Sequence, residues 1–241
     1  MIDRTVVVGS FQCNCRLLVC EKTGEAALVD PGDEPKKILQ LLESEQQKLG
    51  RPIQLKYLLH THAHFDHING TRGVREGWAP NSGPGGAASV GARILLHRGD
   101  EPLYANLKRQ LEFLGLDSLF SSQPFGFREP LPIDEFFEDN QELRVGELKL
   151  TVLHTPGHSP GGVSIRLHED SHAGAIESVF SGDSLFRGSI GRTDFWGSDH
   201  EQLLSSIRDR IFTLDDDTRV CPGHGPESKV GFEKRQNPFF R

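Results

Sequence analysis

Short runs of β-branched and apolar residues dominate the first thirty positions. Thr5–Val8, Cys15–Cys20 and Ala26–Val29 read as three strands, with a turn at Lys22-Thr23-Gly24 and a stop at Asp30-Pro31-Gly32-Asp33. The period then changes. Glu34–Leu49 places Ile38, Leu41, Leu42 and Leu49 on one stripe, with Gly50 just past it, which predicts an amphipathic helix. Gln54–Leu59 is a short buried strand, and a helix from His67 to about Glu76 would hold Asp66 near its positive end. Ala92–His97 reads as a strand. Gly99–Leu116 is mostly helical, with leucines at 103, 107, 111 and 114. Residues 117–140 are rich in Phe and Pro and read as irregular. Strands follow at Leu148–His154, Gly162–Leu167 and Ser178–Ser181. A helix is expected at Glu201–Phe212 with Ser198 and Glu201 as a capping box, and a last strand at Thr218–Cys221. The end, 227–241, reads as a polar tail. Two β-rich stretches that each lead into helices predict an α+β sandwich of two sheets with helices outside, one domain over 1–241.

The stretch 77–91 breaks the pattern. It is dominated by Gly, Pro, Ala and Ser, buries too little to order itself, and reads as a flexible surface insertion. Net charge is −7 over 241 residues, which weighs against a general nucleic-acid binder. No apolar run approaches a membrane span, and Met1-Ile2-Asp3-Arg4-Thr5 has no signal-peptide character. Cys13, Cys15, Cys20 and Cys221 make no disulfide framework. A cytoplasmic protein with reduced thiols, no nucleic-acid partner and no membrane partner is the expectation.

The candidate chemistry lies where Gln54–Leu59 ends. His60, His62, His64, Asp66 and His67 crowd eight positions. A core has no use for so many polar groups, but imidazole and carboxylate are the ligands that zinc and its neighbours take. In extended chain His62 and His64 face the same side. Asp66 and His67 diverge by about 100° at a helix start. One pair suits one ion and the other pair a second. Three further strand ends run into tight Gly/Pro turns that carry a ligand-type residue: Pro156-Gly157-His158, Ser181-Gly182-Asp183 and Pro222-Gly223-His224.

This series, H-x-H-x-D-H followed by a distant His, Asp and His, resembles the metallo-β-lactamase superfamily over nearly the whole chain. The resemblance implies a four-layer αββα sandwich with a metal site along one edge. It also implies the ligands of two divalent ions: His62, His64 and His158 for one, Asp66, His67 and His224 for the other, with Asp183 as a bridge. Zinc is the first expectation, and iron or manganese accept the same set. Ser181-Gly182-Asp183-Ser184-Leu185-Phe186, Gly188 to Phe195 and Glu233 to Phe239 look like the glyoxalase II (hydroxyacylglutathione hydrolase) branch. Only 17 residues follow His224, so the chain looks like the short, single-domain members that lack a C-terminal helical domain.

The implied activity is hydrolysis of an acyl thioester. Two ions lower the pKa of a shared water enough to supply hydroxide, and Asp66 and Asp183 are the carboxylates at that centre. No Gly-x-Ser-x-Gly elbow offers a rival nucleophile. Arg192, Lys234 and Arg235 are candidate contacts for a substrate carboxylate. His60 and His154 are candidates for orienting ligand imidazoles. His97, His168, His172 and His200 read as structural or exposed. Persulfide dioxygenases of the superfamily show a similar series but use one iron on two His and one Asp, here His62, His158 and Asp183. A phosphodiesterase, nuclease or lactonase is a further alternative.

Overall fold

The computed structural model describes residues 1–78, 91–116, 130–170 and 175–241. Most of the 77–91 stretch, all of 117–129, and 171–174 with His172 lie outside the described residues.

Two six-stranded sheets face each other. The first runs in the order β1 (Ile2–Val8), β2 (Cys13–Val19), β3 (Glu25–Val29), β4 (Gln54–Leu59), β5 (Arg93–His97), β6 (Glu135–Phe137). The meander β1–β3 is antiparallel, whereas β3, β4, β5 and β6 are parallel. The second sheet contains β7 (Glu142–Val145), β8 (Leu148–His154), β9 (Val163–Leu167) and β10 (Ser178–Gly182). A two-stranded hairpin, β11 (Leu185–Phe186) and β12 (Ser189–Ile190), follows. With β13 (Arg219–Pro222) and β14 (Ser228–Lys229) the second sheet has the order β14-β13-β10-β9-β8-β7, and β10 and β13 are parallel.

Both faces of each sheet are covered, which is why the central strands are apolar almost throughout. Leu18, Val29, Leu59 and Leu95 point inward to meet Val145, Leu150, Ile165 and Phe180. Their neighbours Leu17, Leu28, Leu58 and Ile94 point outward onto Ile38 and Leu42 of α1 (Pro35–Leu49). On the far side Val179 and Val220 pack under Leu203, Leu204 and Ile207. Helix, sheet, sheet, helix is the expected four-layer order. Among the described residues no helix is long and apolar enough to cross a membrane, and the four cysteines are free and buried.

Several elements differ from the sequence pattern for local reasons. The helix expected from His67 is two helices, α2 (Phe65–Ile68) and α3 (Thr71–Gly77), parted where the Gly70 amide donates to the Gly32 carbonyl at 3.0 Å. The helix expected over 99–116 is α4 (Glu101–Ala105) and α5 (Leu107–Phe113), divided at Asn106. Leu103, Leu107 and Leu111 are buried, but Leu114 leaves the stripe. The cap of helix His200–Ser206 is Asp199, whose carboxylate accepts from the Gln202 amide at 2.9 Å. Ser198 instead donates to the Phe195 carbonyl. That helix ends in a π turn, Ile207–Ile211. Strands β6, β7, β11, β12 and β14 are too short or too polar to stand out in the sequence.

The polar end of the chain, 227–241, carries regular structure: β14, a helix at Val230–Gln236 and a 3-10 turn at Pro238–Phe240. Glu233 is fully buried. It accepts from the Gly188 amide and the Asn237 side chain, each at 2.9 Å, and from the Ser228 hydroxyl. These bonds tie the last helix to the β11–β12 hairpin. Glu233→Ala leaves buried donors without an acceptor and should cost about 2–3 kcal/mol of stability. Urea unfolding checks this; a loss within about 0.5 kcal/mol would separate the segment from the cooperative unit.

Candidate metal centre

Parallel pairing aims the ends of the strands at one edge, and ligand-type residues stand just past those ends. β4 leads to His62, His64, Asp66 and His67, β8 to His158, β10 to Asp183, and β13 to His224. The structure brings all seven together. Ligand atoms lie within 4.8 Å of one another in each of three overlapping groups: His62, His64 and His158; His62, His67 and Asp183; Asp66, His67 and His224. The rings of His62, His64 and His158 meet edge to face with centroids 4.6–4.8 Å apart.

Two glycines let the backbone come this close. Gly182 turns the chain at φ 49°, and a Cβ there would sit 2.3 Å from Thr61 Oγ1. A Cβ at Gly223 would sit 2.4 Å from Asp183 Oδ1 and 2.6 Å from His67 Cε1.

The outer nitrogens of four imidazoles are already committed. Nδ1 lies 2.8 Å from the Arg192 carbonyl in His158, 3.0 Å from Asp30 Oδ2 in His67, and 3.2 Å from the Gln12 carbonyl in His224. In His62 it lies 3.1 Å from Thr61 Oγ1, whose own proton goes to Asp30 Oδ2 at 2.7 Å. With those protons on Nδ1, every Nε2 turns a lone pair inward. His67 Nε2 and His224 Nε2 then face each other at 3.0 Å. His62 Nε2, His158 Nε2 and Asp183 Oδ1 are buried with no hydrogen-bond partner. Orphaned acceptors and facing lone pairs are an arrangement that cations satisfy. Imidazoles about 2.0–2.1 Å from one tetrahedral zinc would be about 3.3 Å apart, close to what is seen. The donor set therefore fits divalent metal.

The electrostatics divide the centre in two. Burial pushes the His62 imidazole well below its ordinary value, helped by the imidazoles around it, and brings His64 to about 3. Both are neutral at physiological pH, as a ligand must be. Burial also opposes a charge on His67, but the acidic groups around it, Cys13 and Asp183 foremost, outweigh that and raise it. His224 is raised too, its burial overcome by the hydrogen bond to Asp66. Burial would lift the Asp183 carboxyl, yet His67, His158 and His224 hold it below the usual carboxylate range. Asp66 is lowered against its burial in the same way, chiefly by His67. The Asp66 side thus attracts positive charge.

Two supporting residues were not singled out in the sequence. Asp30, 2 % exposed and at φ 51°, takes the Thr61 amide at 2.7 Å as well as His67 and the Thr61 hydroxyl. Asp100, fully buried, takes the Ala63 amide at 2.9 Å, the Ser159 hydroxyl at 2.8 Å and the Gly161 amide at 2.5 Å, so it joins the His62–His64 turn to the His158 turn. Each follows a strand parallel to β4, and that topology is the signal that marks them.

Other candidates fall elsewhere. His60 bonds Thr71 Oγ1 at 2.7 Å and the Leu95 carbonyl at 3.2 Å, not a ligand ring. His154 reaches the Pro160 carbonyl at 3.2 Å, on the His158 turn, and stacks on His97. Lys234 and Arg235 are paired with Asp216 at 2.7 and 2.9 Å. Arg192 is exposed and paired with Asp194 at 2.8 Å.

An αββα sandwich with histidines and aspartates converging past its strand ends defines a metal-dependent enzyme of the metallo-hydrolase class. The chain belongs to the Metallo-beta-lactamase superfamily, which it matches over residues 8–224. It is 33% identical to a Haemophilus influenzae protein named hydroxyacylglutathione hydrolase GloC, over 98% of this chain and 96% of that one. It is 36% identical to the probable metallo-hydrolase YqgX of Bacillus subtilis, again over 98% and 96%. Among solved structures, TTHA1623 in a di-iron-bound form superposes with a TM-score of 0.74 at 35% identity, covering 98% of this chain and 99% of that one.

Asp30→Ala should free the His67 ring while leaving every ligand-type residue in place. Metal affinity is expected to fall 10–100-fold, measured by competition with a chelator, with the circular dichroism spectrum retained. Unchanged affinity would reduce Asp30 to a strut for Thr61.

Proposed function

We propose that the protein is a dinuclear metal hydrolase that cleaves an acyl thioester of the S-acylglutathione type. In this reading His62, His64 and His158 hold one ion, Asp66, His67 and His224 the other, and Asp183 reaches both. The observation that carries it is the complete second triad: Asp66, His67 and His224 converge within 4.8 Å, a set that can hold a second divalent ion beside the first. Kinship with a relative named hydroxyacylglutathione hydrolase along nearly the full chain supports the substrate class.

Two bound divalent ions supply Lewis acidity, lowering the pKa of water and polarising a carbonyl. The chain's own residues set the stage for that chemistry. Asp30, Gln12 and the Arg192 carbonyl hold their imidazoles in one tautomer. Asp66 and Asp183, both depressed, stay ionised at neutral pH and can take a hydrogen bond from an attacking water. Among the described residues the thiol beside the centre is no rival nucleophile: Cys13 Sγ lies 3.7 Å from His67 Nδ1, and burial pushes it up to about 11. A thiolate leaves readily without a strong protein acid, since free thiols have a pKa of about 8.5. Arg192 is the proposed contact for a substrate carboxylate. Zinc is the first candidate metal, with iron or manganese accepted by the same ligands.

One observation favours a second reading. The partnerless atoms His62 Nε2, His158 Nε2 and Asp183 Oδ1 are two imidazoles and a carboxylate, the set of a mononuclear iron oxygenase. Metal counting separates the two. Protein purified without added metal should carry about two ions per chain and hydrolyse S-lactoylglutathione without oxygen, followed by loss of thioester absorbance. One iron per chain, oxygen uptake on glutathione persulfide and an intact thioester would establish the second reading instead.

Asp183 offers a sharper probe. Asp183→Ala should lower bound metal below about one ion per chain and abolish hydrolysis, because one carboxylate serves both ions. Full metal content with activity retained would remove it from the centre.

A further inference from the structure

The segment 191–196 closes one side of the centre, and Arg192 does two different things in it. Its carbonyl takes the His158 Nδ1 proton at 2.8 Å. Its guanidinium lies over the Phe195 ring, 4.4 Å from the centroid. That ring in turn meets His64 and His158 edge-on, with centroids 5.2 and 6.1 Å away. The charge therefore stands one aromatic ring from His64 and His158.

The guanidinium is not free. Its Nε and Nη2 donate to the two oxygens of Asp194 at 2.9 and 2.8 Å. This is the two-point fork with which arginine grips any carboxylate. Both partners are open to water, 65% and 66% exposed, so the pair is screened and weak. An incoming carboxylate can take the place of Asp194 without stripping water from a buried group. The pair spans only two residues and holds no other element, so exchange leaves the fold untouched. Lys234 and Arg235 share Asp216, and neither has the ring contact that sets Arg192 beside His64 and His158.

We propose that Asp194 is an internal competitor for the substrate's carboxylate: it occupies Arg192 in the free protein, gives it up to an anionic thioester, and so sets the discrimination between anionic and neutral substrates. This rests on the thioester reading above.

The test compares wild type with Asp194→Asn, both metal-loaded, on anionic S-lactoylglutathione and on neutral S-acetyl-N-acetylcysteamine. Freeing the fork should lower KM for the anionic substrate about threefold, the scale of an exposed charge pair, and shift the neutral one by less. The effect should fall on KM rather than kcat, since the contact is made equally in ground and transition states. In an Arg192→Gln background the gain should vanish. A parallel rise of KM for both substrates, or no change for either, would make Asp194 a brace for the turn and overturn the proposal. A second arm needs no turnover: glutathione binding is followed through the fluorescence of the exposed Trp196, beside Phe195. Tighter binding by Asp194→Asn supports the proposal even if neither thioester is cleaved, a result that would defeat only the thioester reading. Unchanged binding overturns it.

Discussion

Two imidazole lone pairs 3.0 Å apart, at His67 and His224, state the central constraint of this molecule. Each ring has its other nitrogen committed, one to a buried carboxylate and one to a carbonyl. Without a cation the two rings repel or must share a proton. The chain nevertheless holds them there, together with three more imidazoles and the carboxylates of Asp66 and Asp183. Unpaired buried polar atoms of this kind cost stability. The surrounding scaffold has to be rigid enough to keep them in place.

That rigidity comes from the parallel strands. β3, β4 and β5 pair in parallel, so their ends finish together at the edge where β8, β10 and β13 also deliver their turns. The two buried aspartates use this geometry. Asp30 follows β3 and braces the start of the β4 turn at Thr61 and its end at His67. Asp100 follows β5 and links the middle of that turn, Ala63, to Ser159 and Gly161 across the sandwich. Gln110 adds a third tie, donating to the Ala63 carbonyl at 2.9 Å and accepting from the Phe65 amide at 3.2 Å. The four-histidine turn is thus fixed at both ends and in the middle before any metal arrives.

The sequence made the ligand-type residues legible because each carries its own local signal: alternating histidines after an apolar run, or a His or Asp inside a Gly/Pro turn. Paired sheets and most strands were legible from apolar runs, which central strands need when both faces are covered. Asp30 and Asp100 were not, since a lone aspartate after a strand looks like an ordinary turn residue. Their role depends on which strands pair in parallel, and that is a property of the assembled sheet. The structure of the C-terminal segment was hidden for a related reason. Its polarity, Glu227 to Arg241, suggested solvent, but Glu233 and Asn237 are buried because the β11–β12 hairpin supplies matching backbone groups. The basic residues Lys234 and Arg235 turned out to answer Asp216.

Those pairings bear on what lines the approach to the centre in this chain. The bases at its end are spent within the fold, which leaves the mouth of the centre mainly aromatic. Phe195 packs against His64 and His158, Phe186 lies 6.4 Å from the His224 ring, and the exposed Phe11 stands edge-on to Phe65, next to Asp66. Aromatic walls bind by area and shape and are indifferent to small changes in a ligand's polar groups. Charge recognition then falls to a few exposed groups whose pairs are weak and easily exchanged. In the proposed reading, binding strength and charge selectivity are thereby placed on different residues. The ligand-type residues, gathered behind these rings and braced by Asp30 and Asp100, are insulated from changes in either. A scaffold divided this way can vary residues 186–196 while the sheet edge that gathers the ligand-type residues stays as it is.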